Sequence, residues 1–324
     1  MTIAWLFPGQ GSQFVGMGRE VLDASPAARQ VLEEADAALA VTDGSAPRLS
    51  TIILEGPEET LTLTANAQPA LVATSQAILA AMRERVPSLK PPACAAGHSL
   101  GEYSALVASG AIALGDAIRL VRARGRAMQD AVAPNVGAMA AVMGLDAEAV
   151  EAICKEAAGA SPDEIVSPAN FNAPGQVVIA GHAAAVLRAS ELASARKGRV
   201  VPLKVSAPFH CALMAPAARM VEAELQNVRV VSPSFPVIAN VDALPNSDAS
   251  RIKHLLVRQV DGPVRWEDCV KKMHESGVRL ALEIGPGKVL AGLVKRIAKD
   301  IKVLSVSDLA SIDAVAAFLD TPPS

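Results

Sequence analysis

The chain has 324 residues, 51% of them apolar, with 30 basic and 33 acidic side chains for a formal net charge of −3. That length suits one large domain with a smaller insert, and no block of like charge offers a general electrostatic grip on nucleic acid or an anionic membrane. Aromatic residues are only 3% of the chain, which excludes the stacking platforms used on single-stranded nucleic acid.

In chain order, residues 3–7 form an apolar strand that runs into the glycine-rich turn Pro8-Gly-Gln-Gly-Ser-Gln13. With no basic n-region and a break at Pro8, this start reads as a buried strand rather than a signal peptide. A helix-rich stretch follows, including residues 68–85, and then a second buried strand at 93–96. Gly97-His-Ser-Leu-Gly101 fits G-x-S-x-G between that strand and an amphipathic helix running from Glu102 to Ser109. Strand, sharp turn and helix are the context of a nucleophile elbow. The turn would hold the Ser99 hydroxyl at the mouth of the sheet, with the following amide free to donate to an oxyanion. His98 lies on the wrong side of the peptide to act as its base and reads as structural.

The next helix, 115–132, carries four arginines that helical phase separates. Ala117, Leu120, Val121, Gly125, Met128 and Val132 form an apolar stripe at i, i+3, i+4 spacing. Arg119, Arg122 and Arg126 fall on the opposite, polar side, whereas Arg124 falls inside the stripe. A core-facing guanidinium requires an anionic partner. Periodicity leaves two open: a core carboxylate, or a carboxylate belonging to a substrate and held by the guanidinium fork.

Residues 132–204 follow a βαββαβ order, with strands at 138–143, 165–170, 176–180 and 199–204 and helices at 147–157 and 183–195. That order is the ferredoxin-like motif. The α/β pattern then resumes, with strands near 236–240 and 280–284, so residues 1–131 and 205–324 are expected to build one larger α/β unit around the small one. The uncharged stretch 131–145 is broken by Pro134 and Gly137 and is too short to span a bilayer. Four cysteines without CxxC spacing read as free thiols of a reduced, cytoplasmic protein. The tail from Thr321 is expected to fray.

A serine hydroxyl needs a base, and there are five histidines: His98, His182, His210, His254 and His274. His182 begins a helix of the small unit, and His254 and His274 sit among charged helical neighbours. His210, in the proline-containing loop Val205-Ser-Ala-Pro-Phe-His-Cys211, is the leading candidate. Position alone does not separate it from a structural histidine.

Four motifs together resemble one family, the bacterial malonyl-CoA:acyl carrier protein transacylases. They are Phe7-Pro-Gly-Gln-Gly-Ser-Gln13, Gly97-His-Ser-Leu-Gly-Glu-Tyr-Ser-Ala-Leu106, Asn170-Phe-Asn-Ala-Pro-Gly-Gln-Val-Val-Ile-Ala-Gly181 and Glu283-Ile-Gly-Pro-Gly-Lys288. The resemblance spans nearly the whole chain and implies an α/β-hydrolase-like large subdomain with an inserted ferredoxin-like small one. By matched position it implies Ser99 as the acylated nucleophile, His210 as its base and Arg124 as the partner of the malonyl carboxylate. It also implies the amides of Gln10 and Leu100 as the oxyanion hole, and the main-chain carbonyl of Gln259 as the group that orients the histidine. Phe209 resembles a bulky residue that crowds an α-methyl group on the acyl chain. The implied activity is malonyl transfer from malonyl-CoA, a substrate rather than a cofactor, to acyl carrier protein for fatty acid biosynthesis. No other cofactor, no metal, no nucleic acid and no membrane is implied, and the family expectation is a monomer. Lys197, Arg199, Lys271 and Lys272 are candidates for a basic carrier-protein patch. The alternatives are a serine hydrolase or thioesterase on the same elbow, and a catalytically silent docking module. GPGK at 285–288 is too short for a phosphate-binding P-loop.

Overall fold

Strand β1 (Ile3–Phe7) is buried along its whole length, and its two-residue alternation divides the interior. Ile3, Trp5 and Phe7 point into one apolar cluster, while Ala4 and Leu6 point into another on the opposite face. A strand apolar on both faces belongs at the centre of a parallel sheet covered on both sides. β1 is flanked by β2 (Cys94–Gly97) on one side and by the late strand Leu280–Ile284 on the other, both parallel to it.

The computed structural model describes residues 2–44, 47–161 and 163–321, so the tail expected to fray beyond Thr321 lies outside the described residues. After β2 come β3 (Gly137–Met143), β4 (Val166–Ala173), β5 (Gln176–His182), β6 (Arg199–Pro202), β7 (Val237–Ile238), β8 (Pro245–Asn246), β9 (Leu280–Ile284) and β10 (Lys302–Val306). They form a six-stranded sheet in the order β10-β9-β1-β2-β7-β8, parallel except for the β7–β8 pair, and a four-stranded sheet in the order β4-β5-β3-β6. The smaller sheet is antiparallel. Its helices, Ala147–Gly159 and Ala183–Ala195, share a separate core with its strands. This is the mixed α/β architecture expected, with the ferredoxin-like strand order in the small sheet. No helix among the described residues is long and apolar enough to cross a membrane.

Three sequence expectations need correction. The edge strand β10 and the short β8 were absent from the pattern reading, because β10 is only half-buried and carries Lys302 and Ser305. The helix after the elbow, Gly101–Ala108, is not amphipathic: seven of its eight residues are buried, Glu102 included. In the helix Leu114–Asp130, Arg122 does not sit on a solvated face. It is 5% exposed and donates to the carbonyl of Ala65 and to Asn66, because the helix Thr64–Arg85 covers that side as well.

Two other motifs prove to be structural joints. Glu283, fully buried at the end of β9, accepts from the amides of Leu290 and Ala291 and from the Ser305 hydroxyl. It therefore caps the helix Val289–Ile297 in place of the missing turn. The β4–β5 hairpin reaches toward the elbow, where Asn172 accepts from Nε2 of His98 at 2.8 Å. That bond is the structural task expected of His98.

The elbow is possible only because two backbones nearly touch. A Cβ on Gly97 would lie 1.9 Å from the Gly101 carbonyl carbon, and one on Gly101 would lie 2.1 Å from the Phe7 oxygen. Because each clash is with backbone, no side chain can yield. Gly97→Ala is expected to lower the unfolding free energy in urea by about 3 kcal/mol. Gly292→Ala, in the helix Val289–Ile297, whose Cβ would meet nothing within 4 Å, should not lower it and is expected to raise it by up to about 1 kcal/mol through helix propensity.

Candidate active site

The strand-to-helix turn holds Ser99 at φ 50°, and the loop after β6 holds His210 at φ 60°. Both are left-handed conformations that cost a side-chain-bearing residue energy and persist only where the surroundings over-determine them. The surroundings here are hydrogen bonds. Asn240, just past β7 and fully buried, accepts from the Ser99 amide at 2.7 Å and donates to the Gly97 carbonyl at 2.8 Å, bracketing the turn.

Ser99 Oγ lies 2.7 Å from Nε2 of His210. On the other side of the ring, Nδ1 lies 2.8 Å from the main-chain carbonyl of Gln259. A carbonyl only accepts, so the proton is fixed on Nδ1 and Nε2 is left as the acceptor for the hydroxyl. Burial, followed by the nearby Arg124 charge, holds the imidazole down to about 3. The ring is therefore neutral at any physiological pH. A neutral imidazole bonded to a hydroxyl is the arrangement that activates a serine oxygen for attack on an acyl carbon.

Arg124 is 1% exposed. Its guanidinium donates to Gln68 Oε1 at 2.9 Å, to Gln259 Oε1 at 3.0 Å and to Ser99 Oγ at 3.1 Å, and it lies 5.3 Å from the centre of the Tyr103 ring. All of these partners are neutral, and among the described residues no carboxylate lies within ion-pair distance. Of the two partners the sequence left open, a core carboxylate is thus not the one present. A buried cation whose fork touches the reactive hydroxyl is suited to an anion carried beside the reacting carbon.

The sequence-predicted residues Ser99, His210, Arg124 and Gln259 are thus brought into one hydrogen-bonded group. Among the described residues, neither the Gln10 nor the Leu100 amide has an acceptor within the protein, and Leu100 directly follows the serine. Gln10 lines the same cleft of about 280 Å³ as Ser99, Arg124, Phe209 and His210, with Met139 and Asn170 of the small sheet as its far wall. Apart from His98, which lines the same cleft, the other histidines lie elsewhere. His182 accepts from the Ile165 amide, His254 is exposed, and His274 faces Asp300.

Sequence reasoning missed Gln68, Asn240 and Glu102, and it missed the side chain of Gln259. Glu102 carries a usable signal as the one charged residue of Gly101–Ala108, whereas Gln68 carries a weak one, since its helix also holds Thr74, Ser75 and Gln76. Asn240 has a weaker one, at the carboxyl end of a buried strand. Asn240→Ala is expected to slow labelling of Ser99 by a fluorophosphonate by about 10²-fold, since a misplaced elbow spoils the attack geometry. The unfolding free energy should drop by only about 2 kcal/mol for the orphaned elbow groups.

Comparison with known proteins shows the family of the chain. The chain is 47% identical over 317 residues, 98% of each chain, to the malonyl CoA-acyl carrier protein transacylase of Haemophilus influenzae. It superposes with a TM-score of 0.92 on the acyl carrier protein S-malonyltransferase of Vibrio cholerae, at 46% identity over 97% of this chain and 100% of that one. A malonyl-transacylase solved in complex with its type II PKS acyl-carrier protein also superposes with a TM-score of 0.92, at 45% identity over 99% and 100% of the two chains. A family model described as the acyl transferase domain matches residues 4–316, and the chain belongs to that family.

Proposed function

We propose that this protein transfers the malonyl group from malonyl-CoA to the phosphopantetheine thiol of acyl carrier protein, supplying fatty acid biosynthesis, through a malonyl ester on Ser99. The observation that carries the reading is Arg124, a buried cation with neutral partners whose fork reaches the Ser99 oxygen. A malonyl group presents a carboxylate close to the thioester carbon, so one residue can recognise the substrate and align it.

His210 Nε2 takes the Ser99 proton as the oxygen attacks the thioester carbonyl. The oxyanion of the tetrahedral intermediate is received by the free amides of Gln10 and Leu100, each such donor contributing about 3 kcal/mol in the transition state. The carbon–sulfur bond then breaks, and the sulfur of coenzyme A leaves with the proton held on Nε2. The carrier thiol returns by the reverse path: its proton goes to His210, its sulfur attacks the ester, and Ser99 leaves reprotonated. The carbonyl of Gln259 takes the place that an acid holds in hydrolase triads. That is enough here, because its task is to fix the tautomer.

A cleft with the small sheet as its far wall supports a two-part body, with residues 132–204 as a subdomain inserted between 1–131 and 205–324. Carrier-protein contact is supported by the solved complex of the similar transacylase. Lys271 and Lys272 are each engaged by a carboxylate of their own helix, Glu267 and Glu275, which leaves Lys197 and Arg199 as the better basic candidates for that contact. A cytoplasmic location fits the free, buried cysteines.

Arg124→Ala is expected to lower kcat/KM for malonyl-CoA by about 10³-fold while changing the slow use of acetyl-CoA by less than about tenfold, because only malonyl loses a bidentate partner. The pH dependence is also set. His210 is depressed from 6.5 to about 3, so its proton-free form persists above that value. Single-turnover acylation should show no fall through pH 6.5. An acid limb near 6.5 in stopped-flow measurements would contradict the assigned environment. The same depression means that an unfolded imidazole binds its proton first, so this group's contribution to stability drops as pH falls from about 6.5 toward 3.

A further inference from the structure

Both residues that hold the reactive groups hang on one carboxylate. Glu102, 3% exposed, accepts through Oε2 from the Asn240 amide at 2.8 Å and from Nε2 of Gln259 at 2.8 Å. Asn240 brackets the elbow. The Gln259 side chain donates to the Ser99 carbonyl at 2.9 Å and accepts from Arg124 at 3.0 Å. A carboxylate only accepts, so it fixes the Gln259 amide with its NH₂ toward Glu102 and its oxygen toward the guanidinium. The sequence Arg124, Gln259, Glu102 thus places a negative charge one amide away from a buried positive one.

We propose that Glu102 is a positioning residue that, acting through Gln259, sets how tightly Arg124 holds a substrate carboxylate. The inference rests on the reading of Arg124 as the malonyl-carboxylate site. With Glu102 ionised, the empty pocket is close to neutral, and an arriving carboxylate is attracted by Arg124 but repelled by Glu102. Removing that charge leaves Arg124 with no ionic counterpart except the guest. It also removes the charged acceptor that polarises the Gln259 amide, so that Gln259 Oε1 competes less for the guanidinium, which acts in the same direction. Glu102 therefore keeps malonyl from being held too firmly to be passed on, and it softens the penalty for an uncharged acyl group.

The sign separates this role from a merely structural one, since damage to the site would loosen malonyl. The probes are malonyl-CoA and acetyl-CoA, bound to the Ser99→Ala protein so that no transfer occurs. The readout is the ratio of their Kd values by calorimetry at pH 8, which cancels the coenzyme A portion. Burial holds the Glu102 carboxyl up to about 7 against the pull of its hydrogen bonds and of Arg124, so it is ionised at that pH. Adding Glu102→Gln, which keeps an acceptor of the same shape, is expected to raise the preference for malonyl about thirtyfold, as Coulomb's law gives for a charge roughly 8 Å away at an effective dielectric constant of about 20.

A second measurement needs no substitution at 102. The charged and titratable groups facing Glu102 are Arg124, Asp242, Cys269 of the helix Trp266–Glu275, and Tyr103 beside it. Burial pushes Tyr103 up to about 12 and Cys269 well above its ordinary value, and it holds His98 and His210 down. Protonating Glu102 by moving the Ser99→Ala protein from pH 8 to pH 6 should therefore raise the malonyl preference in the same direction. This arm decides the matter if the double variant fails to fold. A preference that stays constant or falls overturns the role of Glu102 and leaves the Arg124 reading standing. No preference for malonyl in the Ser99→Ala protein at either pH removes the Arg124 reading and this inference together.

Discussion

A guanidinium buried at the centre of the protein without a carboxylate in contact is the constraint on which the site depends. A free ion in such a place would be prohibitively costly, so Arg124 is paid for by geometry: two glutamine oxygens, the serine oxygen and the face of Tyr103. Each partner is itself fixed by the fold. Gln68 projects from the buried helix Thr64–Arg85, Gln259 from Ala249–Asp261, and Ser99 from the elbow between β2 and Gly101–Ala108. Three segments far apart in the chain therefore converge on one cation. The field of that cation also helps to keep His210 uncharged.

The same convergence explains why two residues tolerate left-handed backbone. Ser99 is held by Asn240 at its amide and by Gln259 at its carbonyl. His210 is held by the main-chain oxygen of that same Gln259. The helix Ala249–Asp261 thus orients base, nucleophile and cation through the backbone and side chain of one residue. A site in which positions are shared in this way loses several functions at once when one member is removed, so single substitutions within it are not expected to add.

Much of this was legible in the sequence, for identifiable reasons. The buried β1, the G-x-S-x-G turn and the βαββαβ block announce themselves because local pattern and final environment agree. Arg124 stood out because it breaks a helical stripe, and the stripe does face the core. The same argument misplaced Arg122, since the helix Thr64–Arg85 covers the flank on which it lies, while Arg126 on the polar side stays exposed. Nor is the helix Gly101–Ala108 amphipathic, because it is enclosed all round and Glu102 is buried with its neighbours. The Gln259 side chain leaves no signal in the sequence and Asn240 only a weak one, for a different reason. Their importance comes from contacts across 141 and 135 residues of chain, which no periodicity encodes. The edge strand β10 was lost because half-burial dilutes its alternation.

The central claim is that Ser99 carries the malonyl group and that Arg124 selects it. Its most direct test is the mass of the intact protein, and of the peptide containing Ser99, after mixing with malonyl-CoA in the absence of carrier protein, beside a parallel reaction with acetyl-CoA. The account predicts one malonyl adduct, located on Ser99 and far weaker with acetyl-CoA. An adduct on another residue, equal loading by acetyl-CoA, or release of free malonate with no adduct would contradict it.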